Sequence, residues 1–152
     1  ARLLLEVLDA AVAVWGGERV GLRLSPPNSF NDLADSDPVG LITWLATRLN
    51  DYKLAYLHLM RGDFFGLQKG DVLTPARQHY TGVLIANMGY TPAEAANAIE
   101  SGQLDAVAFG TAFLANPDLP ARIKAGAQLN SPNPDTFYSP GAEGYTDYPF
   151  MH

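Results

Sequence analysis

The sequence predicts an α/β fold made of strand–helix units around a parallel sheet. Three observations carry that prediction. Short apolar runs alternate with helical patterns along most of the chain. The helical segments open on capping signals, a polar residue followed by proline. The strand runs are continuously apolar, as expected of strands covered on both faces.

The elements follow in order. From Leu3 to Trp15 apolar residues recur at helical spacing, and Gly16-Gly17 stop that helix. Arg19 to Leu24 reads as a first strand, ended by Ser25-Pro26-Pro27 and a loop rich in Asn, Asp and Ser. Asp37-Pro38 starts a helix running to about Leu49. Leu54 to Leu59 is a second strand, and a long loop from Met60 to Leu73 leads to the helix start Thr74-Pro75. Gly82 to Ala86 is a third strand. Thr91-Pro92-Ala93-Glu94 is a capping box, and its helix ends near Gly102. Asp105 to Phe109 is a fourth strand, followed by short helices over Thr111–Ala115 and Leu119–Ala125. The strand–helix units thus fill residues 1–128. Residues 129–152 form an irregular tail rich in Pro, Gly and Tyr, within a single domain.

Composition narrows the function. The 152 residues are 47% hydrophobic and 17% charged, a folded rather than disordered balance. A net charge of −6 with scattered basic residues argues against nucleic-acid binding. No apolar run approaches the roughly 18 residues that a membrane span needs. The absence of cysteine excludes disulfides, thiolate metal sites and cysteine nucleophiles. With no signal peptide visible, these features fit a cytoplasmic protein. The chain opens inside a helical pattern, without an initiator Met, and reads like part of something longer. Four parallel strands leave two open edges. A closed (β/α)8 barrel takes about 250 residues. Either the sheet is small and open, or another polypeptide completes it.

Chemistry is expected at the carboxyl ends of the strands. Arg23 stands near the end of the first, on one face with Gly21 and Ser25. It is either a strand-end surface residue paired with an acidic neighbour, or a fixed cation for an anionic ligand. Asn87-Met88-Gly89 ends the third strand, and Gly110-Thr111 follows the fourth just before a short helix. Either glycine alone reads as a turn residue. Their recurrence on consecutive strand-to-helix turns suits a phosphate site. His58 within its strand and His79 near a helix end read as structural, and His152 is terminal. No metal site is expected.

Longer motifs then point to one family. Arg19-Val-Gly-Leu-Arg-Leu-Ser-Pro26 with Phe30-Asn31-Asp32 and Asp35-Ser-Asp-Pro38 resembles the fifth barrel strand and loop of Old Yellow Enzymes. Leu54-Ala-Tyr-Leu-His-Leu59 is similar to their sixth strand. Ala108-Phe-Gly110 with Phe113-Leu-Ala-Asn-Pro-Asp-Leu119 resembles their eighth-strand phosphate motif. Thr136-Phe-Tyr138 and Gly141-Ala-Glu-Gly-Tyr-Thr-Asp-Tyr-Pro149 resemble their tail. The resemblance covers nearly the whole chain, in order.

It implies the carboxy-terminal half, about strands five to eight, of a TIM-barrel ene-reductase that uses FMN and NAD(P)H to reduce activated alkenes such as enones. Arg23 matches the arginine beside the flavin ring, where a cation favours the reduced, anionic flavin. Asn87, Met88 and Gly89 match the seventh-strand phosphate loop, and Gly110 and Thr111 the eighth. Phe137 matches a residue beside the flavin. Phe30 and Tyr138 match residues lining the substrate site, and Phe64 or Phe65 is a further candidate for that mouth. The family usually carries an arginine where Thr111 stands, which implies weaker FMN binding here unless Lys69 or another cation substitutes. The substrate-anchoring histidine and the proton-donating tyrosine are expected in an amino-terminal half-barrel polypeptide, leaving no catalytic residue in this chain. The alternative is a non-catalytic, phosphate-binding half-barrel that closes its edges as a homo-oligomer.

Overall fold

Four strands pair in parallel in the order in which they occur: β1 (Gly21–Leu24), β2 (Tyr56–Met60), β3 (Leu84–Asn87) and β4 (Ala106–Val107). This is a computed structural model, and it describes residues 1–151; His152 lies outside the described residues. Leu24 pairs with Leu59, Leu59 with Ala86 and Ala86 with Val107, so the four carboxyl ends share one margin of the sheet.

The chain divides into two units, Ala1–Ala108 and Phe109–His152. The first holds the sheet with α1 (Arg2–Trp15), α2 (Pro38–Leu49), α3 (Leu73–His79) and α4 (Pro92–Glu100). Leu57, Leu59, Leu84 and Ala86 are fully buried and belong to one cluster with Leu8, Ile42, Leu49 and Ala76 of the helices. Each such leucine contributes about 1.5–3 kcal/mol by leaving water. The alternate residues are open: Gly21, Arg23 and Tyr56 are exposed, while His58, Ile85 and Asn87 are half-buried. The expectation of strands covered on both faces therefore fails in this chain. The Gly-Leu-Arg-Leu of β1 and the Tyr-Leu-His-Leu of β2 are alternating patterns whose leucines all face the helices.

Local signals explain most helix boundaries. Asp37 caps α2 by accepting from Gly40 N–H at 2.8 Å. Both halves of the Thr91/Glu94 capping box form at α4. Asp71 accepts from the Leu73 and Thr74 N–H groups at the start of α3. The strand bounds needed correction. Gly17–Arg19 curl into a 3-10 turn, so β1 begins only at Gly21. The reason is close packing: a Cβ on Gly17 would meet Tyr52 O at 1.9 Å, and Ala55 N–H binds both Gly17 O and Val20 O. Strand β2 starts at Tyr56 rather than Leu54, and β3 runs to Asn87 rather than Ala86. Strand β4 keeps two residues of the five expected.

The second unit holds α5 (Thr111–Ala115), α6 (Leu119–Ala125) and a 3-10 turn at Pro134–Thr136. Buried polar side chains organise it. Asn116 is fully buried; its amide donates to Ala112 O and Asn130 O, and its oxygen accepts from Asn130 N–H. Arg122, only 6% exposed, pairs with Asp118 at 2.7 Å and donates to Gln128 O and Pro149 O. Such a network is stable because every buried donor is satisfied.

Candidate functional site

The open face of the sheet carries polar side chains toward its carboxyl margin. Arg23 of β1 stands in register with His58 of β2. His58 Nε2 lies 3.2 Å from Asn87 Oδ1 of β3. Burial, and then the positive charge of Arg23, hold the His58 ring below its ordinary range, against the opposing hydrogen bond to Asn87. The imidazole thus sits between a cation and an amide. Arg23 is exposed and makes no ion pair among the described residues, so no acidic neighbour within them holds it.

After β3 the chain turns sharply. Met88 and Gly89 both have positive φ, 92° and 64°. The glycine suits this conformation, whereas Met88 holds it against its Cβ. One residue braces the turn. Arg61, directly after β2, donates its backbone N–H to Asn87 O, Nε to Met88 O at 2.7 Å and Nη2 to Gly89 O at 2.8 Å. Its guanidinium lies 3.7 Å over the Tyr90 ring and 3.7 Å from a Glu94 carboxylate oxygen. The Thr91 N–H, then its hydroxyl and then Arg61, hold the Glu94 carboxyl below its usual range, while burial pulls the other way.

The loops after β1 and β2 are tied together. The Asp63 carboxylate accepts from Ser29 N–H and hydroxyl and from the Phe65, Leu67 and Gln68 N–H groups. These donors hold its carboxyl far below the ordinary range despite the opposing effect of desolvation. The tie brings Phe30 and Phe65 into a parallel stack with centroids 6.2 Å apart, and Phe64 meets Phe65 edge-on at 5.3 Å. All three rings are exposed.

The site residues read from the sequence therefore fall into distinct places. Arg23 and Asn87 share the open face through His58, Met88 and Gly89 form the braced turn, and Phe30 belongs to the aromatic cluster. In the second unit, Gly110 caps α5 without a side-chain hydrogen bond and Thr111 is the first helical residue. Phe137 is half-buried after the 3-10 turn, and Tyr138 is 99% exposed. The sequence reading missed Arg61 and Asp63. Both stand in what reads as a long loop; the partners of Arg61 and the Ser29 partner of Asp63 lie about thirty residues away, and the sequence reading did not single out the nearer Asp63 turn. Among the described residues no group of three or more His, Asp or Glu side chains could hold a metal, and no helix is long and apolar enough to cross a membrane.

Comparison with known proteins gives this geometry its context. Residues 1–130 match the NADH:flavin oxidoreductase / NADH oxidase family. The chain is 55% identical over 150 residues to a probable flavin mononucleotide-dependent alkene reductase of Leishmania infantum, covering 99% of this chain and 41% of that protein. The solved old yellow enzyme from Trypanosoma cruzi superposes with a TM-score of 0.96 at 42% identity, over 99% of this chain and 40% of that one. Morphinone reductase superposes with a TM-score of 0.91 at 43% identity, over 99% and 41%. The chain thus spans about 41% of the length of the curated relative it matches, and its four parallel strands correspond to part of a larger barrel. From the matched residues and the shared strand architecture together, the chain belongs to the NADH:flavin oxidoreductase family of Old Yellow Enzymes.

Proposed function

We propose that this chain is the carboxy-terminal half of an FMN-dependent ene-reductase, active together with an amino-terminal half-barrel and using NAD(P)H to reduce activated alkenes such as enones. The kinship with the Leishmania infantum alkene reductase supports the reading. Within the molecule, one observation carries it. Arg23 is an exposed cation without an ion-pair partner, at the carboxyl margin of a sheet face that no helix of this unit covers.

The residues fit an anionic, planar cofactor. Arg23 offers a permanent positive charge to a flavin ring. The N–H groups of Gly89 and Tyr90 have no protein acceptor among the described residues and are free to meet a phosphate. FMN bound there would supply the hydride chemistry, taking hydride from NAD(P)H and passing it to the alkene. The chain's own residues bind and orient. Arg23 would stabilise negative charge on the flavin, and the same positive charge, after burial, disfavours protonation of His58 beside it. The Phe30–Phe65 stack presents an apolar wall to a substrate. Gly110, Thr111 and Phe137 add cofactor contacts and Tyr138 a substrate contact on this reading. The proton donor belongs to the other half.

Joining this chain to its amino-terminal half in the presence of FMN tests the proposal. A yellow assembly that consumes NADPH when an enone is added is the expected result. A colourless assembly that leaves NADPH untouched would overturn it, and a stable colourless homodimer would favour self-association instead.

A further inference from the structure

The three residues assigned to the phosphate loop after β3 share one feature that no local sequence pattern announces. Their three consecutive carbonyl oxygens, of Asn87, Met88 and Gly89, all accept hydrogen bonds from Arg61. The peptide bonds are trans, so each N–H points opposite to the carbonyl of its own peptide unit. Turning the Met88 and Gly89 carbonyls toward the guanidinium therefore turns the Gly89 and Tyr90 N–H groups the other way. Two successive N–H groups aimed at one side form an anion-binding concavity. The turn does not adopt this shape freely, since Met88 holds a positive φ of 92°. Arg61 is itself held from three sides, by the two carbonyls, by Tyr90 beneath it and by Glu94.

We infer that Arg61 is the positioning residue of the FMN phosphate turn: its fork pulls the Met88 and Gly89 carbonyls back and so presents the Gly89 and Tyr90 N–H groups to the phosphate. The inference rests on the FMN reading above. Arg61 touches the turn and not the flavin. The fork matters because a guanidinium binds two acceptors in a fixed plane, which a single ammonium cannot do.

Riboflavin, which is FMN without its phosphate, provides the test. The dissociation constants of FMN and riboflavin are measured for the full polypeptide carrying these residues, for Arg61→Met and for Arg61→Lys. Methionine keeps an apolar stem over Tyr90 and removes the donors; lysine keeps the charge and removes the fork. The preference for FMN over riboflavin should fall about tenfold in Arg61→Met, as expected for lost hydrogen bonds of charge-assisted strength. It should fall several-fold in Arg61→Lys, while riboflavin affinity holds in both. If Arg61→Lys keeps the unaltered preference, Arg61 acts only through its charge and the inference is overturned. Equal weakening of both flavins, or of neither, overturns it too. If Arg61→Met fails to fold, Arg61→Lys decides alone. An unaltered protein that binds both flavins equally would instead remove the FMN-phosphate reading on which the inference stands.

Discussion

The turns after β3 and β4 both place a glycine between a strand and a helix, yet they are built by different means. At the first, Gly89 has a positive φ, three carbonyls are held by Arg61, and α4 opens on a complete capping box. At the second, Gly110 has φ −93° and ψ −81°, no side chain caps the five-residue α5, and a Cβ on Gly110 would meet nothing within 4 Å. Backbone conformation accounts for Gly89. At Gly110 neither a left-handed backbone nor local packing requires the missing side chain, which is compatible with the close approach of the cofactor proposed above. Two glycines that look alike in a sequence thus answer to different demands.

Substitutions sharpen this contrast. The largest effect is expected from Thr111→Arg, which supplies at the less braced turn the charge that the family resemblance implies there. It should tighten FMN binding about tenfold, the difference between a charge-assisted and a neutral hydrogen bond. Flavin titration measures this, and an unchanged dissociation constant would remove Thr111 from the phosphate site. Next, Gly89→Ala should destabilise the fold by about 1 kcal/mol through its left-handed backbone, read by denaturant unfolding. The new Cβ would lie 3.9 Å from Arg61 Nη2, so crowding adds little. Gly110→Ala should change stability by less than about 0.5 kcal/mol yet weaken FMN binding. A loss of stability without a change in affinity would invert the comparison.

The smallest expected effect concerns pH. Glu94, whose folded carboxyl titrates below its ordinary value, stabilises the first turn while ionised. That contribution is fully present above the unfolded value of 4.5 and is lost as pH falls through the lower folded value. The Gly89 and Thr91 amide resonances should therefore shift in this acidic window, while those of Gly110 and Thr111 follow no Glu94 titration. Glu94→Gln keeps a capping side chain and should abolish the shift.

Much of the fold was legible along the chain. Helix α2 begins and ends where its cap and apolar spacing set it, and α5 and α6 fall within the bounds read from the sequence. The strand edges were not legible, because a partner decides them. Gly17–Arg19 curl where Tyr52 crowds the backbone, and β3 reaches Asn87 opposite Met60. The candidate site was visible as separate residue types: a strand-end arginine, two turn glycines and an aromatic in a loop. Its bracing was not. Arg61 reads as one residue of a long loop, and Glu94 reads only as half of a capping box.

What the sequence by itself determined is what depends on near neighbours: helical periodicity, capping, the alternation of strand and helix, and the kinship carried by its motifs. The tertiary structure alone decided which face of the sheet stays open, where each strand stops, and that one arginine, through its backbone N–H and its guanidinium, holds three successive carbonyls. Those outcomes depend on groups far apart in the chain, and such groups meet only after the βα units have stacked.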